Sequence, residues 1–117
     1  MNEVQLKNRT KEYAKNVIRL CRKLPNNREG RLIGNQMFRS GTSVAANYRA
    51  ACRGRSKAEF ISKLAIVEEE ADETLFWLEL IKEMSISKDP VVDVLMKEGN
   101  EIVAIIVSSI KTVKRRN

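Results

Sequence analysis

Phe60, Leu64, Val67, Ala71, Thr74, Leu78 and Ile81 step 4, 3, 4, 3, 4, 3 along the chain. A seam of that period, held over three repeats, can only be buried by a long helix lying against other helices. Ile61, Ile66, Leu75, Trp77 and Leu80 widen the stripe, so this helix needs a second apolar contact. Ser56-Lys57-Ala58-Glu59 in front of it reads as a capping box, the serine closing an orphan amide and the glutamate reaching back. The pattern predicts a helix over 57–84.

The rest of the chain is written in the same period, with no sustained strand-like alternation. Tyr13, Val17, Leu20 and Leu24 step 4, 3, 4, predicting a helix over 6–24 that Pro25 ends. Asn26 to Gly30 reads as a polar connection. Ile33, Met37, Val44, Tyr48 and Ala51 share one face of a helix over 31–53, and Gly41 in its interior points to close packing by a neighbour. Asp89 as cap and Pro90 at the first helical position open a fourth helix over 90–115. Its segment Ile102 to Val107 is apolar on every side and needs cover. The expected fold is all-α: one domain over 1–117, an antiparallel up-down-up-down four-helix bundle. The surplus apolar surface of the third and fourth helices predicts self-association.

Charge is divided unevenly. Residues 1–57 carry 14 Lys and Arg against 3 Asp and Glu, a surplus of +11, whereas residues 58–117 carry 8 against 12, a balance of −4. Either the halves neutralise one another, or the basic half faces an external polyanion; the net +7 that remains favours the polyanion. Cys21 and Cys52 are too few for a disulfide framework and fit small buried thiols in a reducing cytoplasm. No apolar run is long enough for a membrane span.

Chemistry is conspicuous by what is missing. The run Glu68-Glu69-Glu70-Ala71-Asp72-Glu73 resembles the carboxylates of bundle metal sites, but the chain has no histidine. Ser40, Thr42 and Ser43 therefore lack a histidine base, and the glycines match no phosphate loop. The sequence reads as a protein that is not an enzyme and needs no metal or cofactor. What remains is a set of cations: Arg39, Arg49 and Arg53 along one face of the second helix, continued by Arg55 and Lys57 at the following corner. Guanidinium groups hold phosphate bidentately, so the row suits RNA or DNA. The other reading pairs these residues with Glu69, Asp72 or Glu73, within or between subunits. Tyr48 and Phe38 could stack on bases, although the spacing of Tyr48 fits a core position better.

The stretch from Gln36 to Ala51, with its Arg39-Ser40-x-x-Ser43-x-x-x-Asn47 pattern, resembles a known family. So do Phe60-Ile61-Ser62-Lys63-Leu64, Ile66 to Thr74 and Trp77-Leu78-Glu79-Leu80. This is the small bacterial four-helix-bundle family of proteins encoded in intervening sequences of large-subunit ribosomal RNA genes. It includes the accessory variability protein of diversity-generating retroelements. The resemblance covers essentially everything after residue 5. It implies an antiparallel bundle assembled into a ring-shaped homopentamer with a basic surface or channel. For the retroelement branch it implies binding to nucleic acid and to a reverse transcriptase. Where many relatives follow the asparagine with an Ile-Ala-Glu-Gly type of sequence, this chain has Tyr48-Arg49-Ala50-Ala51. The functional expectation is an oligomeric nucleic-acid-binding accessory protein, or alternatively an adaptor whose ring docks a protein partner.

Overall fold

A helix leaves its first amides without partners, and in this chain short polar side chains take them over. The computed structural model describes residues 1–116 as four helices: α1 (Glu3–Lys23), α2 (Arg28–Cys52), α3 (Lys57–Glu83) and α4 (Val91–Arg115). Asn2 and Gln5 form a reciprocal capping box, with amide-to-side-chain distances of 2.8 and 3.1 Å. It starts α1 three residues ahead of the apolar pattern. Asn27 caps α2 through the Gly30 amide at 2.9 Å, so Arg28-Glu29-Gly30 is the first helical turn and not a connection. Gly30 is required there because a Cβ would lie 2.0 Å from the Pro25 carbonyl oxygen. Ser56 caps α3 as the sequence implies, but the Glu59 carboxylate accepts from the Arg55 amide, one residue beyond the serine. Asp89 accepts the Val91 amide at 2.9 Å, and α4 begins at Val91 with Pro90 in front.

Around the bundle α1 packs on α2, α2 on α3 and α3 on α4, while α1 and α4 touch far less and the diagonal pairs do not approach. The result is a rod of 51 × 20 × 19 Å. Val17 of α1 sits against Gly41, and Cys21 donates to the Gly34 carbonyl at 3.4 Å. Arg9 reaches Glu98 and Glu101 on α4, whereas Lys23, at the other end of α1, reaches Asp89. The α3 seam is buried from Leu64 through Ile81 and meets Tyr13, Val17 and Leu20, Met37, Val44 and Tyr48, and Ile102 and Ile106 in one core.

The apolar segment of α4 departs from expectation. Ile102 and Ile106 are fully buried, Val103 and Ile105 pack partly on the core, and Ala104 is exposed. The bundle itself therefore covers most of what periodicity left in need of a partner. The large exposed apolar side chains lie elsewhere, among them Val4, Phe38 and Phe76. Among the described residues no helix is long and apolar enough to cross a membrane.

Candidate nucleic-acid interface

Ten residues separate Arg39 from Arg49, which turns Arg49 about 80° round the helix from Arg39. That rotation divides the expected row between two faces of α2. Arg39 leans toward α3, where its guanidinium lies 3.2 Å from Glu70 and 2.6 Å from Glu73. The acidic partners are thus Glu70 and Glu73, while Glu69 and Asp72 face away. Glu73 also accepts the Trp77 indole N–H at 3.1 Å, and that bond, with Arg39, holds its carboxyl below the usual range. Arg39 remains half-exposed, so solvent screens the pair and it stabilises the fold only a little.

Arg49 and Arg53 turn the other way, toward α1. They line an open groove of about 410 Å³ together with Lys7 and Lys11, over a floor of Val4, Asn8, Ala45 and Ala46. Among the described residues no carboxylate lines this groove. None of its four cations forms an ion pair among the described residues. Lys7 and Lys11 were invisible to a reading confined to α2. The usable signal was their four-residue spacing on α1, which puts both on the flank that α2 approaches. The small Ala45 and Ala46 keep the groove open between the two helices.

Further along the same α1–α2 face a second recess is lined by Cys21, Leu24, Arg31, Gly34 and Phe38. Phe38 is 46% exposed, so its ring is available, whereas Tyr48 is 3% exposed and belongs to the core. Burial pushes the Cys21 thiol up to about 11, an unreactive state at neutral pH. Arg55 and Lys57 lie exposed at the α2–α3 corner, where the Lys57 ammonium donates to the Arg116 carbonyl. They do not line the groove. The described residues hold no group of three His, Cys, Asp or Glu placed to bind a metal ion.

Comparison with known proteins gives this arrangement a context. The sequence model of the 23S rRNA-intervening sequence protein family matches residues 2–108. The chain belongs to that family. Its fold is shared with a crystal structure of a protein of unknown function from the S23 ribosomal protein family of Bacteroides thetaiotaomicron, which is 33% identical. The likeness has a TM-score of 0.87 and covers 95% of this chain and 99% of that one. No curated protein matches significantly. Neither the family nor that neighbour indicates an enzymatic activity.

In this 23S rRNA-intervening sequence family member the Arg39-Ser40-x-x-Ser43-x-x-x-Asn47 pattern has a structural use. Thr74 of α3 donates to the fully buried Ser40 hydroxyl at 2.8 Å, and Ser40 donates to the Met37 carbonyl at 3.3 Å. Asn47 donates to the Ser43 hydroxyl at 2.7 Å, one turn back. With Arg39 on Glu70 and Glu73, the pattern joins α2 to α3 and leaves the opposite flank of α2 to the groove.

Proposed function

We propose that this chain is a non-enzymatic accessory protein that binds nucleic acid through the α1–α2 groove. Its unit is an antiparallel up-down-up-down bundle, assembled into a ring, a pentamer by family resemblance, in the cytoplasm. The observation that carries the reading is the convergence of Lys7, Lys11, Arg49 and Arg53 on one groove with no carboxylate among its lining residues. Four unpaired cations brought together repel one another, and a polyanion relieves that repulsion while releasing its counterions. Residues four apart on a helix rise by about 6 Å, so each pair spans roughly two phosphates of a B-form strand. Phe38 and Arg31 extend the same face with a ring and a cation, a combination suited to unstacked bases. Contacts from Lys7, Lys11, Arg49 and Arg53 to phosphate oxygens carry no sequence information, so binding through them is tolerant of sequence. The test is a mobility-shift assay at low salt with duplex DNA and a structured RNA. Retardation of either supports the reading, and two unshifted probes end it.

A further inference from the structure

Arg31, Asn35, Phe38, Thr42, Ala45 and Arg49 step 4, 3, 4, 3, 4 along α2, and none of them is buried. A step of seven returns a helical side chain to within about 20° of its starting direction, so the six form one strip along α2. The strip joins two hollows between α1 and α2. Ala45 and Arg49 belong to the cationic groove, while Arg31, Asn35 and Phe38 belong to the recess beside the α1–α2 connection. That recess holds about 230 Å³, and among the described residues no carboxylate lines it. Gly34 contributes no side chain to it, and the backbone there closes on Leu24, whose Cδ1 would lie 3.3 Å from a Cβ at position 34. Phe38 forms a wall with its ring half-exposed. The Arg31 guanidinium is held at the rim by the Asn26 side-chain oxygen at 3.1 Å and pairs with no acid among the described residues.

We propose that this recess takes one unpaired nucleobase of the strand whose phosphates lie on Lys7, Lys11, Arg49 and Arg53, and so favours single-stranded over duplex nucleic acid. The inference rests on the functional reading above for the phosphates and adds the base. A base inside a duplex is stacked above and below and paired at its edge, so it cannot turn into a slot, whereas a base in a single strand can. Phe38 offers a stacking face, which is tolerant of sequence because every base has a π-face. The Asn35 amide offers a donor and an acceptor to the edge of the ring, and Arg31 offers further donors. Eleven residues separate Phe38 from Arg49, a rise of about 17 Å. About five steps of a stacked strand, at roughly 3.4 Å each, therefore reach from the cations to the ring. A free aromatic ligand would use the recess alone, and a polyanion without rings would use the groove alone. A nucleic-acid strand carries both on one chain.

Two DNA probes of twelve nucleotides test this by fluorescence anisotropy at low salt: single-stranded oligothymidylate and a G·C-rich duplex of the same length. Phe38→Ala is expected to lower affinity for the single strand roughly tenfold, the loss of one stacked base, and to leave duplex affinity unchanged. No charge is removed, so its salt dependence stays parallel to the parent's. Phe38→Tyr keeps the ring and should keep the parent's affinity, whereas Phe38→Leu keeps apolar bulk without the ring and should behave as Phe38→Ala. Parent-like binding of the single strand by Phe38→Ala or Phe38→Leu, or an equal loss from both probes, overturns the base recess. The groove is judged separately by Lys7→Gln, Lys11→Gln, Arg49→Gln and Arg53→Gln combined. If that variant binds both probes as the parent does while Phe38→Ala weakens the single strand alone, the groove reading fails and the recess stands. A parent that binds neither probe overturns both.

Discussion

Replacing Gly41 by alanine sets two effects of opposite sign against each other. Glycine inside a helix is disfavoured by about 1 kcal/mol relative to alanine, so propensity alone predicts a gain. The structure predicts a loss. A Cβ at position 41 would lie 2.7 Å from Val17 Cγ1, 3.0 Å from Cγ2 and 3.1 Å from Cβ. Carbon atoms prefer roughly 3.5–4.0 Å, so the new methyl must displace Val17 by the better part of an ångström. Val17 is fully buried, and a β-branched side chain on a helix has one strongly favoured rotamer. It cannot swing away, and α1 must shift. Overpacking of this kind costs about 1–3 kcal/mol, leaving a net destabilisation of about 1 kcal/mol after the propensity gain. At this chain length that lowers Tm by roughly 4 °C. Urea unfolding followed by far-UV circular dichroism, at one protein concentration throughout, measures the change. The double variant Val17→Ala, Gly41→Ala should recover at least about 1 kcal/mol relative to the sum of the singles, because the second methyl occupies space the first vacates. A Gly41→Ala protein more stable than the parent would refute the reasoning.

Other outcomes follow from single groups. The Tyr13 hydroxyl is buried with no hydrogen-bond partner among the described residues, so Tyr13→Phe should be neutral or stabilising by about 1 kcal/mol in urea unfolding at neutral pH. Burial, aided by Glu98, also raises the Tyr13 pKa above its ordinary 10.0. The neutral phenol favoured by the fold thus contributes stability that is full below pH 10 and falls as pH rises further, and Tyr13→Phe should lose less stability there. Ser85 has φ 53° and ends α3 in a Schellman arrangement, with Ile86 N–H on the Ile81 carbonyl and Ser85 N–H on the Lys82 carbonyl. Glycine avoids the left-handed penalty, so Ser85→Gly should raise stability by about 1 kcal/mol in the same assay. Arg9 holds Glu98 and Glu101 at 2.6 and 3.0 Å from a partly buried position across the sparsest helix pair. Arg9→Gln should destabilise by about 1–2 kcal/mol, with faster amide exchange in α1 and α4 than in α2.

The helices were legible because a seam of period 3.5 to 3.6 allows few alternatives. Leu64 to Ile81 is buried where the spacing put it. The ends were less legible wherever asparagine acted as the cap, since Asn2 and Asn27 resemble loop residues until a helix is known to follow. Ser85 hid the Schellman turn because glycine is its usual signal. Partner choice among charges was the least legible. The helical angle that separates Arg39 from Arg49 can be calculated, but which neighbour lies on each side of α2 depends on the order of helices round the bundle. For the same reason Lys7 and Lys11 could not be assigned to the groove before α1 was placed beside α2. The acidic run was likewise split by helix geometry, Glu70 and Glu73 turning inward to Arg39 and Glu69 and Asp72 outward.

The most direct measurement is the salt dependence of nucleic-acid binding with the groove intact and with it neutralised. Duplex affinity is titrated between 50 and 200 mM salt for the parent and for a variant carrying Lys7→Gln, Lys11→Gln, Arg49→Gln and Arg53→Gln. Four phosphate contacts give a slope of about −3.6 in log K against log salt, or roughly a hundredfold loss across that fourfold range. The variant is expected to keep its circular dichroism spectrum and to lose about that much of the parent's slope, while Arg39→Gln leaves the slope unchanged. A variant that binds with the parent's affinity and slope would contradict the assignment of the groove.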